Sequence, residues 1–410
     1  MGKPTARRVV LAYSGGLDTS VAVRWMREEW GVEVVALAVD VGQAEDFEAV
    51  RDRALAAGAV AADVVDAKAE FARDFVSRAI QANALYEGKY PLVSSLSRPL
   101  IARHLVRVAR EVGADAVAHG CTGKGNDQVR FEVSSRALAP DLDVLAPVRE
   151  WGMTRDDCID YAARHEIPIT VTREKPYSID ENLWGKAIEC GAIEDPWNPA
   201  PEDIYTMVQQ PPPDIGRDSV SVTFDQGVPV GLDGEPMALD ALVGAMNSRV
   251  GRFGWGSVDM VENRRVGIKS REVYECPGAL SLIMAHADLE SITLERDVAR
   301  EKQRLDIRYA ELIYDGLWYS PLREALDAFV VSSQRHVTGE VRLALSAGRC
   351  AISGRRAERP LYDYALATYE ADDQFRHEDA GGFVRLWGLG LETWSRRQGG
   401  PAEGQGDVDG

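Results

Sequence analysis

Cysteine is scarce in this sequence, and its few copies are scattered along the chain. The five cysteines form no C-x-x-C pair, and their odd number prevents complete pairing; they are Cys121, Cys158, Cys190, Cys276 and Cys350. This pattern excludes a disulfide framework and a cysteine-based zinc site. The six histidines show no metal-ligand spacing either. We therefore expect a reduced, cytoplasmic chain whose own residues form no metal site.

Long apolar runs are absent as well. No stretch approaches the roughly 20 apolar residues that cross a bilayer. The apolar run at residues 9–12 is followed by Gly15 and Gly16 too early to form a secretory signal. These absences predict a protein with no membrane partner.

Positive charge is in deficit. Lys and Arg number 47 against 65 Asp and Glu, which gives a net charge of −18. Such a surface repels nucleic-acid phosphates, so we expect no nucleic-acid partner, and any anionic ligand must be bound by local groups. A chain of 410 residues is also too long for one compact core, which predicts at least two domains.

Apolar segments alternate with helical patterns over the first 173 residues. Unbroken apolar segments lie at 9–13, 34–39, 116–119, 144–146 and 169–171, and apolar residues recur at helical spacing within 22–26, 47–54 and 101–112. This alternation predicts an α/β fold with a parallel, doubly wound sheet of the nucleotide-binding type. Ligands of such sheets bind where the strands end, so we expect a site at the loops after Tyr13, Val39 and His119.

The rest of the chain has α+β character. After two proline-rich stretches, the patterns predict a strand, a helix, a helix that starts at Ser320-Pro321, and a hairpin; the segments are 195–201, 211–214, 219–224, 239–250 and 341–352. Trp387, Leu391 and Trp394 form a late apolar stripe before a low-complexity end. We predict a nucleotide-binding domain at 1–173, an α+β domain at 174–370, a C-terminal segment with a helix at 371–397, and a disordered tail at 398–410.

Residues 12–20 read Ala-Tyr-Ser-Gly-Gly-Leu-Asp-Thr-Ser and lie between the first strand and the first helix. Two glycines allow a tight turn that exposes consecutive backbone amides. Those amides and the positive end of the helix dipole form a site for an anion. The Walker A pattern is absent. The string therefore predicts a phosphate-binding loop of another kind.

A second glycine-rich string, HGCTGKGNDQVR, occupies residues 119–130 after a predicted strand. Its side chains offer donors, an acceptor and charge within a few residues. Arg130 or Lys124 suits a carboxylate, Asp127 suits an ammonium group, and Asn126 suits either. This combination is typical of a site for a zwitterion.

The first string resembles the pyrophosphate-binding loop of the N-type ATP pyrophosphatases, which split ATP between the α- and β-phosphates and adenylate a carbonyl oxygen. The second string resembles the argininosuccinate synthetase family, as do further segments along nearly the whole chain. These are VDVGQ at 39–43, Tyr90 with SSLSRP at 94–99, KPYS at 175–178, VENR at 261–264, KSR at 269–271 and YE at 274–275. The segments WGKAIECG, YDGLWYSP and GRRAERPLYD are closest to the actinobacterial branch.

The resemblance implies a C–N ligase of arginine biosynthesis that joins citrulline to aspartate through a citrullyl-adenylate and forms AMP and diphosphate. It implies ATP with Mg²⁺ as substrate, no tightly bound cofactor, a synthetase and multimerisation role for residues 174–370, and a homotetramer. The ATP-binding residues it implies are Ala12, Tyr13, Ser14, Gly15, Gly16, Leu17, Asp18, Thr19, Ser20, Val39 and Gly120.

The same resemblance implies the amino-acid sites. Aspartate would contact Thr122, Asn126 and Asp127, and citrulline would contact Tyr90, Ser95, Asn126, Arg130, Ser178, Glu262 and Tyr274. Asp127, which would face the aspartate amine, is the candidate catalytic residue. Asp127 and a phosphate oxygen both stay open as the proton acceptor.

One departure from the family concerns Ala187, where many relatives have a serine that contacts citrulline. It leaves open a related ligase that joins aspartate to a citrulline analogue in specialised metabolism. The acidic charge and the missing paired cysteines disfavour a tRNA-modifying adenylating enzyme. The intact loop and Asp127 disfavour a binding protein that has lost turnover.

Overall fold

The computed structural model describes residues 3–169 and 177–399. The predicted boundary at 173/174, the last two residues of the predicted strand at 169–171, and residues 400–410 of the predicted tail lie outside this part of the chain. The described residues form two compact units, of which the first ends at Arg359 and the second begins at Pro360.

The first unit begins with a parallel five-stranded sheet in the order β3-β2-β1-β4-β5. Its strands are β1 (Arg8–Ala12), β2 (Glu33–Asp40), β3 (Ala61–Asp66), β4 (Ala116–Ala118) and β5 (Asp143–Leu145). The accompanying helices are α1 (Leu17–Trp25), α2 (Phe47–Ala57), α3 (Lys68–Phe71), α4 (Ser77–Gln81), α5 (Val93–Glu111), α6 (Asp127–Leu138), α7 (Pro147–Glu150) and α8 (Arg155–Arg164).

Both faces of this sheet are buried. Val9 and Leu11 of β1 pack in one core with Val21 of α1, whereas Val10 packs in the other core with Leu105 of α5. Successive strand residues point to opposite faces, so an unbroken apolar strand needs a helix layer on each side. The predicted doubly wound parallel sheet is therefore confirmed, and β1 lies at its centre.

Two antiparallel sheets follow, in the orders β10-β9-β8-β13-β14 and β11-β12-β7-β6. Their strands are β6 (Ser178–Asn182), β7 (Gly185–Glu189), β8 (Arg217–Asp225), β9 (Val228–Leu232), β10 (Glu235–Pro236), β11 (Ser257–Asn263), β12 (Lys269–Glu275), β13 (Gly339–Ser346) and β14 (Arg349–Ala357). The helices here are α9 (Leu239–Gly251), α10 (Pro277–Thr293), α11 (Arg296–Tyr314) and α12 (Pro321–Ser333). The α+β character is confirmed.

Local signals placed several elements correctly. Ser320 caps α12, because its hydroxyl accepts a hydrogen bond from the backbone N–H of Arg323 at 3.2 Å, and Pro321 is the first helical residue. The hairpin of β13 and β14 forms as predicted and is longer than the apolar pattern indicated.

The β11–β12 hairpin and β7 bring Glu262, Tyr274 and Ala187 close together.

One strand of the first sheet was not predicted from the sequence, and the start of one helix was misplaced. Strand β3 was missed because it is largely exposed and carries two aspartates. The prediction that a helix starts after Pro99 was wrong, since α5 begins at Val93 and contains Pro99. Leu96 and Leu100 on this helix are fully buried, and their packing offsets the hydrogen bond that proline cannot make.

The second unit contains a short helix, α13 (Tyr364–Ala367), and the long helix α14 (His377–Gln398). No side chain of α14 is buried. Even its large apolar residues face outward, since Trp387 is 79% exposed and Leu391 is 69% exposed. The predicted C-terminal helix is thus present with its apolar stripe uncovered in the single chain. Among residues 3–169 and 177–399, no helix combines the length and the hydropathy that crossing a membrane requires.

Candidate functional site

The loop between β1 and α1 has the geometry of an anion site. Gly15 adopts a left-handed backbone with φ of +72°, and a Cβ at this position would lie 2.7 Å from Nη2 of Arg53. The left-handed conformation favours glycine here, and a larger residue would also have to displace the end of the Arg53 side chain. The hydroxyls of Ser14 and Thr19 lie 3.1 Å apart at the start of α1. Hydroxyls and the positive end of α1 thus lie together where the chain leaves the central strand.

A cavity of about 200 Å³ opens beside this loop, at the ends of β1, β2 and β4. Six of the predicted ATP residues line it, namely Ala12, Tyr13, Ser14, Thr19, Val39 and Gly120. Leu37, Val41, Ile101 and Phe131 add an apolar wall. The cavity therefore lies at the predicted place, beside the loops that follow Tyr13, Val39 and His119 at the ends of the parallel strands.

The remaining predicted ATP residues occupy other places. Leu17 and Ser20 are buried in α1, and the Ser20 hydroxyl lies 2.9 Å from the hydroxyl of Tyr13. Gly15 and Gly16 form the turn itself. Asp18 does not line this cavity and instead lines the second and third cavities, which are described below. Burial raises the pKa of its carboxyl, and the charge of Arg155 opposes that rise.

A second cavity, of about 320 Å³, adjoins the first and lies between the 119–130 loop and the strands β6, β7, β11 and β12. All predicted aspartate and citrulline residues except Ser95 line it; they are Tyr90, Thr122, Asn126, Asp127, Arg130, Ser178, Glu262 and Tyr274. Residues far apart in the sequence therefore converge on one space.

Ser95 is the exception. Its side chain is fully buried, its hydroxyl lacks a hydrogen-bond partner among the described residues, and its neighbour Ser94 lines the cavity instead. Consecutive residues of a helix point about 100° apart, which is why the two serines differ in their access to the cavity. The citrulline contact of Ser95 stays a prediction.

Asp127 lies between two arginines. It accepts hydrogen bonds from Nε of Arg98 at 2.8 Å and from Nη1 of Arg130 at 2.7 Å, and Arg98 also donates to Asp180 at 2.7 Å. Burial alone would raise the pKa of Asp127, but the charges of Arg98 and Arg130 outweigh it and lower the pKa to about 2. A carboxylate with so low a pKa is a weak base. The open choice of Asp127 as proton acceptor is therefore disfavoured, and the residue supplies a fixed negative charge.

Glu262 lies in a different environment on the opposite wall. Its Oε1 accepts a hydrogen bond from the hydroxyl of Tyr314 at 2.6 Å, and its Oε2 lies 2.7 Å from the hydroxyl of Tyr274. Burial, followed by the charge of Glu272, raises the pKa of Glu262 to about 7. One cavity thus contains a strongly acidic carboxyl, Asp127, and a weakly acidic one, Glu262.

Some lining residues were not singled out from the sequence. Arg98, Arg264 and Glu272 stand inside or beside the segments that carry the family resemblance, and Glu189 and Tyr314 lie within WGKAIECG and YDGLWYSP without having been assigned a role. Asp180 carried no motif signal, and only tertiary structure shows where these side chains lie. Tyr314, the last residue of α11, reaches Asn126 across 188 positions of the chain.

A third cavity, of about 540 Å³, shares Asp18, Thr122, Ser178 and Arg264 with the second. Its lining is rich in cationic side chains, which are Lys124, Arg155, Arg264, Lys269 and Arg271. These five cations outnumber the three acidic side chains of the same lining, which are Asp18, Glu189 and Glu194. Among residues 3–169 and 177–399, no group of three or more His, Cys, Asp or Glu side chains is arranged to bind a metal ion.

Comparison with known proteins gives a consistent result. Residues 8–168 match the model of the arginosuccinate synthase N-terminal HUP domain, and residues 177–394 match that of the arginosuccinate synthase C-terminal domain. The chain is 54% identical over 385 residues to an argininosuccinate synthase of Bacillus licheniformis, covering 93% of this chain and 95% of the relative. It is 54% identical over 395 residues to an argininosuccinate synthase of Thermosynechococcus vestitus, covering 96% and 98%.

A solved structure gives a much weaker match. The U34-tRNA thiolase NcsA from Methanococcus maripaludis with its [4Fe-4S] cluster has a TM-score of 0.26 at 15% identity, covering 41% of this chain and 60% of that chain. A likeness at this level says nothing about what the protein does.

Proposed function

The chain belongs to the argininosuccinate synthase family, and from that premise we propose how its cavities divide the three substrates. Its activity is that of an ATP-dependent ligase of arginine biosynthesis, which converts citrulline, aspartate and ATP to argininosuccinate, AMP and diphosphate. The family resemblance carried by the sequence is confirmed by both halves of the chain.

ATP would lie across the first cavity. The apolar wall near Val39 and Phe131 suits the adenine ring, and the loop at Ser14–Thr19 suits the diphosphate that is released. The cationic third cavity continues from Asp18 and would offset the charge of the departing diphosphate.

Mg²⁺ would arrive with ATP. The Asp18 carboxyl, which faces both cavities beside the loop, fits the single-carboxylate contact that phosphate-bound Mg²⁺ often uses.

Citrulline and aspartate would share the second cavity. Citrulline is assigned to Tyr90, Asn126, Arg130, Ser178, Glu262 and Tyr274, with Ser94 or Ser95 from the start of α5. Aspartate is assigned to Thr122, Asn126 and Asp127. The Asn126 amide already donates to Tyr314 and accepts from the backbone of Arg265, so it offers its second amide hydrogen to a substrate.

The chemistry follows from this arrangement. The ureido oxygen of citrulline attacks the α-phosphorus, and diphosphate leaves toward the loop. The aspartate amine, placed by the fixed charge of Asp127, then attacks the activated ureido carbon, and AMP leaves. Orientation of bound reactants supplies most of the acceleration, because each reacting group belongs to a substrate. The low pKa of Asp127 favours a phosphate oxygen as the proton acceptor.

Several finer features belong to this proposal. The segments WGKAIECG, YDGLWYSP and GRRAERPLYD favour the actinobacterial branch. The uncovered apolar stripe of α14 supports the homotetramer that the family implies. A cytoplasmic location agrees with the scattered cysteines. The proposed domains are a nucleotide-binding domain at 1–173, a synthetase and multimerisation domain at 174–370, a C-terminal segment at 371–397 and a tail at 398–410.

One observation carries the substrate assignment: eight predicted residues from both halves of the chain line a single cavity that adjoins the phosphate loop. The test is diphosphate release by the purified protein with ATP and Mg²⁺, comparing citrulline, ornithine, citrulline analogues and no acceptor. We expect release only with citrulline, followed by aspartate-dependent argininosuccinate. Faster release with an analogue would favour the related ligase that Ala187 leaves open.

A further inference from the structure

The direction of one hydrogen bond in the second cavity is determined by the backbone. Oδ1 of Asn126 accepts the backbone N–H of Arg265 at 2.9 Å, so the amide nitrogen of Asn126 faces the hydroxyl of Tyr314 at 2.7 Å. The Tyr314 oxygen is therefore an acceptor there. Its own single proton must go to its other neighbour, Oε1 of Glu262, at 2.6 Å.

The hydroxyl of Tyr274 has two acidic neighbours and one proton. It lies 2.7 Å from Oε2 of Glu262 and 2.7 Å from Oε2 of Glu272. Tyr274 can donate to only one of these oxygens. The second short contact therefore requires that the other carboxyl is protonated and donates to the tyrosine oxygen.

The position of that proton follows from the charges around the pair. Oε1 of Glu272 accepts a hydrogen bond from Nη2 of Arg264 at 2.6 Å, so Glu272 has a cation as its partner. Glu262 has no arginine or lysine within hydrogen-bond distance among the described residues. The proton therefore belongs on Oε2 of Glu262, and Tyr274 donates to Glu272.

The other groups that face Glu262 agree with this placement. Arg130 lies on α6 and attracts its negative form, but Arg130 also bonds Asp127. Tyr90 is stacked on Tyr274 and Tyr86 on Tyr314, with ring centres 4.0 Å and 3.6 Å apart, and both are neutral phenols at neutral pH. Burial and Glu272 raise the pKa of Glu262 to about 7, so the proton is present in the lower physiological pH range.

We propose that Glu262 and Glu272 share one extra proton through the Tyr274 hydroxyl in the substrate-free enzyme, and that the α-ammonium group of citrulline releases this proton to solvent when it binds. The inference rests on the proposed citrulline site. The neutral carboxylic acid and the ammonium ion give a carboxylate–ammonium pair and one free proton, so atoms and charge balance. Glu272 thereby becomes a specificity-determining residue, because it sets the protonation state that a cationic ligand must change.

A pH dependence follows. Below a pKa of about 7, citrulline must expel the proton before it forms the ion pair, so its affinity falls about tenfold for each pH unit. Above that pKa the carboxylate is already ionised and the affinity levels off. Citrulline should therefore bind more tightly as the pH rises through 7.

The test is calorimetric titration of the full-length protein with citrulline in the presence of α,β-methylene-ATP, which prevents turnover. Repeating the titration in buffers of different ionisation enthalpy counts the protons released. We expect about one proton per site at pH 6.0 and close to none at pH 8.5. The Glu272→Gln variant should release less than half as many at pH 6.0. Glu189→Gln, which also removes a carboxylate bonded to Arg264 but does not touch Tyr274, should release as many as the wild type.

Two results would overturn the shared proton: wild-type protein that binds citrulline at pH 6.0 without releasing a proton, or equal release by Glu272→Gln and the wild type. The wild-type pH series decides the matter if Glu272→Gln does not fold. Argininosuccinate formation is measured on the same samples. Activity without proton release rejects this inference alone, whereas failure of citrulline to bind or react rejects the site assignment and the inference with it.

Discussion

Asp127 shows how tertiary contacts determine the chemistry of a side chain. The motif at 119–130 indicates an acidic group for an ammonium ion, which describes Asp127 and leaves its protonation open. Arg98 reaches it from α5 and Arg130 from one turn along α6, and together they keep the carboxylate charged. In the proposed site, such a permanent charge suits orientation of the aspartate amine better than acceptance of a proton from it.

We predict that Asp127→Asn impairs the aspartate step more than the citrulline step. The variant loses a charged partner for the amine, which is worth about 2–3 kcal/mol, so argininosuccinate formation should fall about 30- to 160-fold. Citrulline-dependent ATP–diphosphate exchange should fall less than about tenfold. Both are measured on the same preparation, with Asp141→Asn at an exposed ion pair to Arg110 as the control. Equal loss of both activities would contradict this role.

Ala187 is a second residue whose meaning depends on its neighbours. It lies on β7 opposite Tyr274 and lines the amino-acid cavity. A serine hydroxyl here would reach the space assigned to citrulline. We predict that Ala187→Ser lowers the KM for citrulline by up to about tenfold, since one neutral hydrogen bond contributes about 0.5–1.5 kcal/mol. Saturation curves check this, with the KM for aspartate as the internal control; an unchanged KM for citrulline would count against the missing contact.

At the scale of elements, the contact between the end of α11 and α6 positions Arg130 in the cavity proposed for citrulline. The Arg130 side chain donates to the carbonyl of Tyr314 at 3.0 Å, where α11 ends, and a cation suits that end of a helix. Gly316 follows with φ of +74°, and a Cβ there would lie 2.8 Å from Cα of Arg130. A glycine is thus needed for conformation and for the close approach of two helices.

We predict that Gly316→Ala costs more than backbone strain alone. Left-handed strain of about 1–2 kcal/mol should add to displacement of Arg130, so the unfolding midpoint should drop and the KM for citrulline should rise several-fold. Gly348→Ala is the matched control, because φ is +65° there but a Cβ would meet no atom within 4 Å. Denaturant unfolding and citrulline saturation separate the two effects. If both variants behave alike, the close approach at Gly316 does not position Arg130.

At the scale of the whole molecule, α14 carries an apolar stripe that is largely exposed among the described residues. Phe383, Trp387, Leu391 and Trp394 recur at helical spacing and are 62%, 79%, 69% and 42% exposed. Large exposed apolar faces of this kind mark association surfaces. A second copy of the chain is the occupant that the proposed homotetramer would supply.

We predict that the double variant Trp387→Ala/Leu391→Ala lowers the assembly state. Removing two large apolar side chains from the stripe should cost about 3–6 kcal/mol of association energy for each helix, so the mass should fall below that of a tetramer. Light scattering after size-exclusion chromatography measures this, with Arg385→Ala on the same helix as the control. An unchanged mass for the double variant would show that α14 does not build the assembly.

The sequence by itself determined whatever depends on near neighbours. The phosphate loop, the Ser320 cap and the β13–β14 hairpin need only a few consecutive residues, because their conformations and hydrogen bonds are local. The two-faced sheet was also predictable, since an unbroken apolar strand must be covered on both sides. The family resemblance added the residues that line the cavities.

Tertiary structure decided what depends on distant partners. Pro99 lies inside a helix because burial of Leu96 and Leu100 outweighs a lost hydrogen bond, and Ser94 lines the cavity whereas Ser95 is buried because the helix turns them in different directions. The acidity of Asp127 and the proton on Glu262 come from charges brought together across the chain. A pKa is set by the few ångströms around a group, and only folding places Arg98 beside Asp127 and Glu272 beside Glu262.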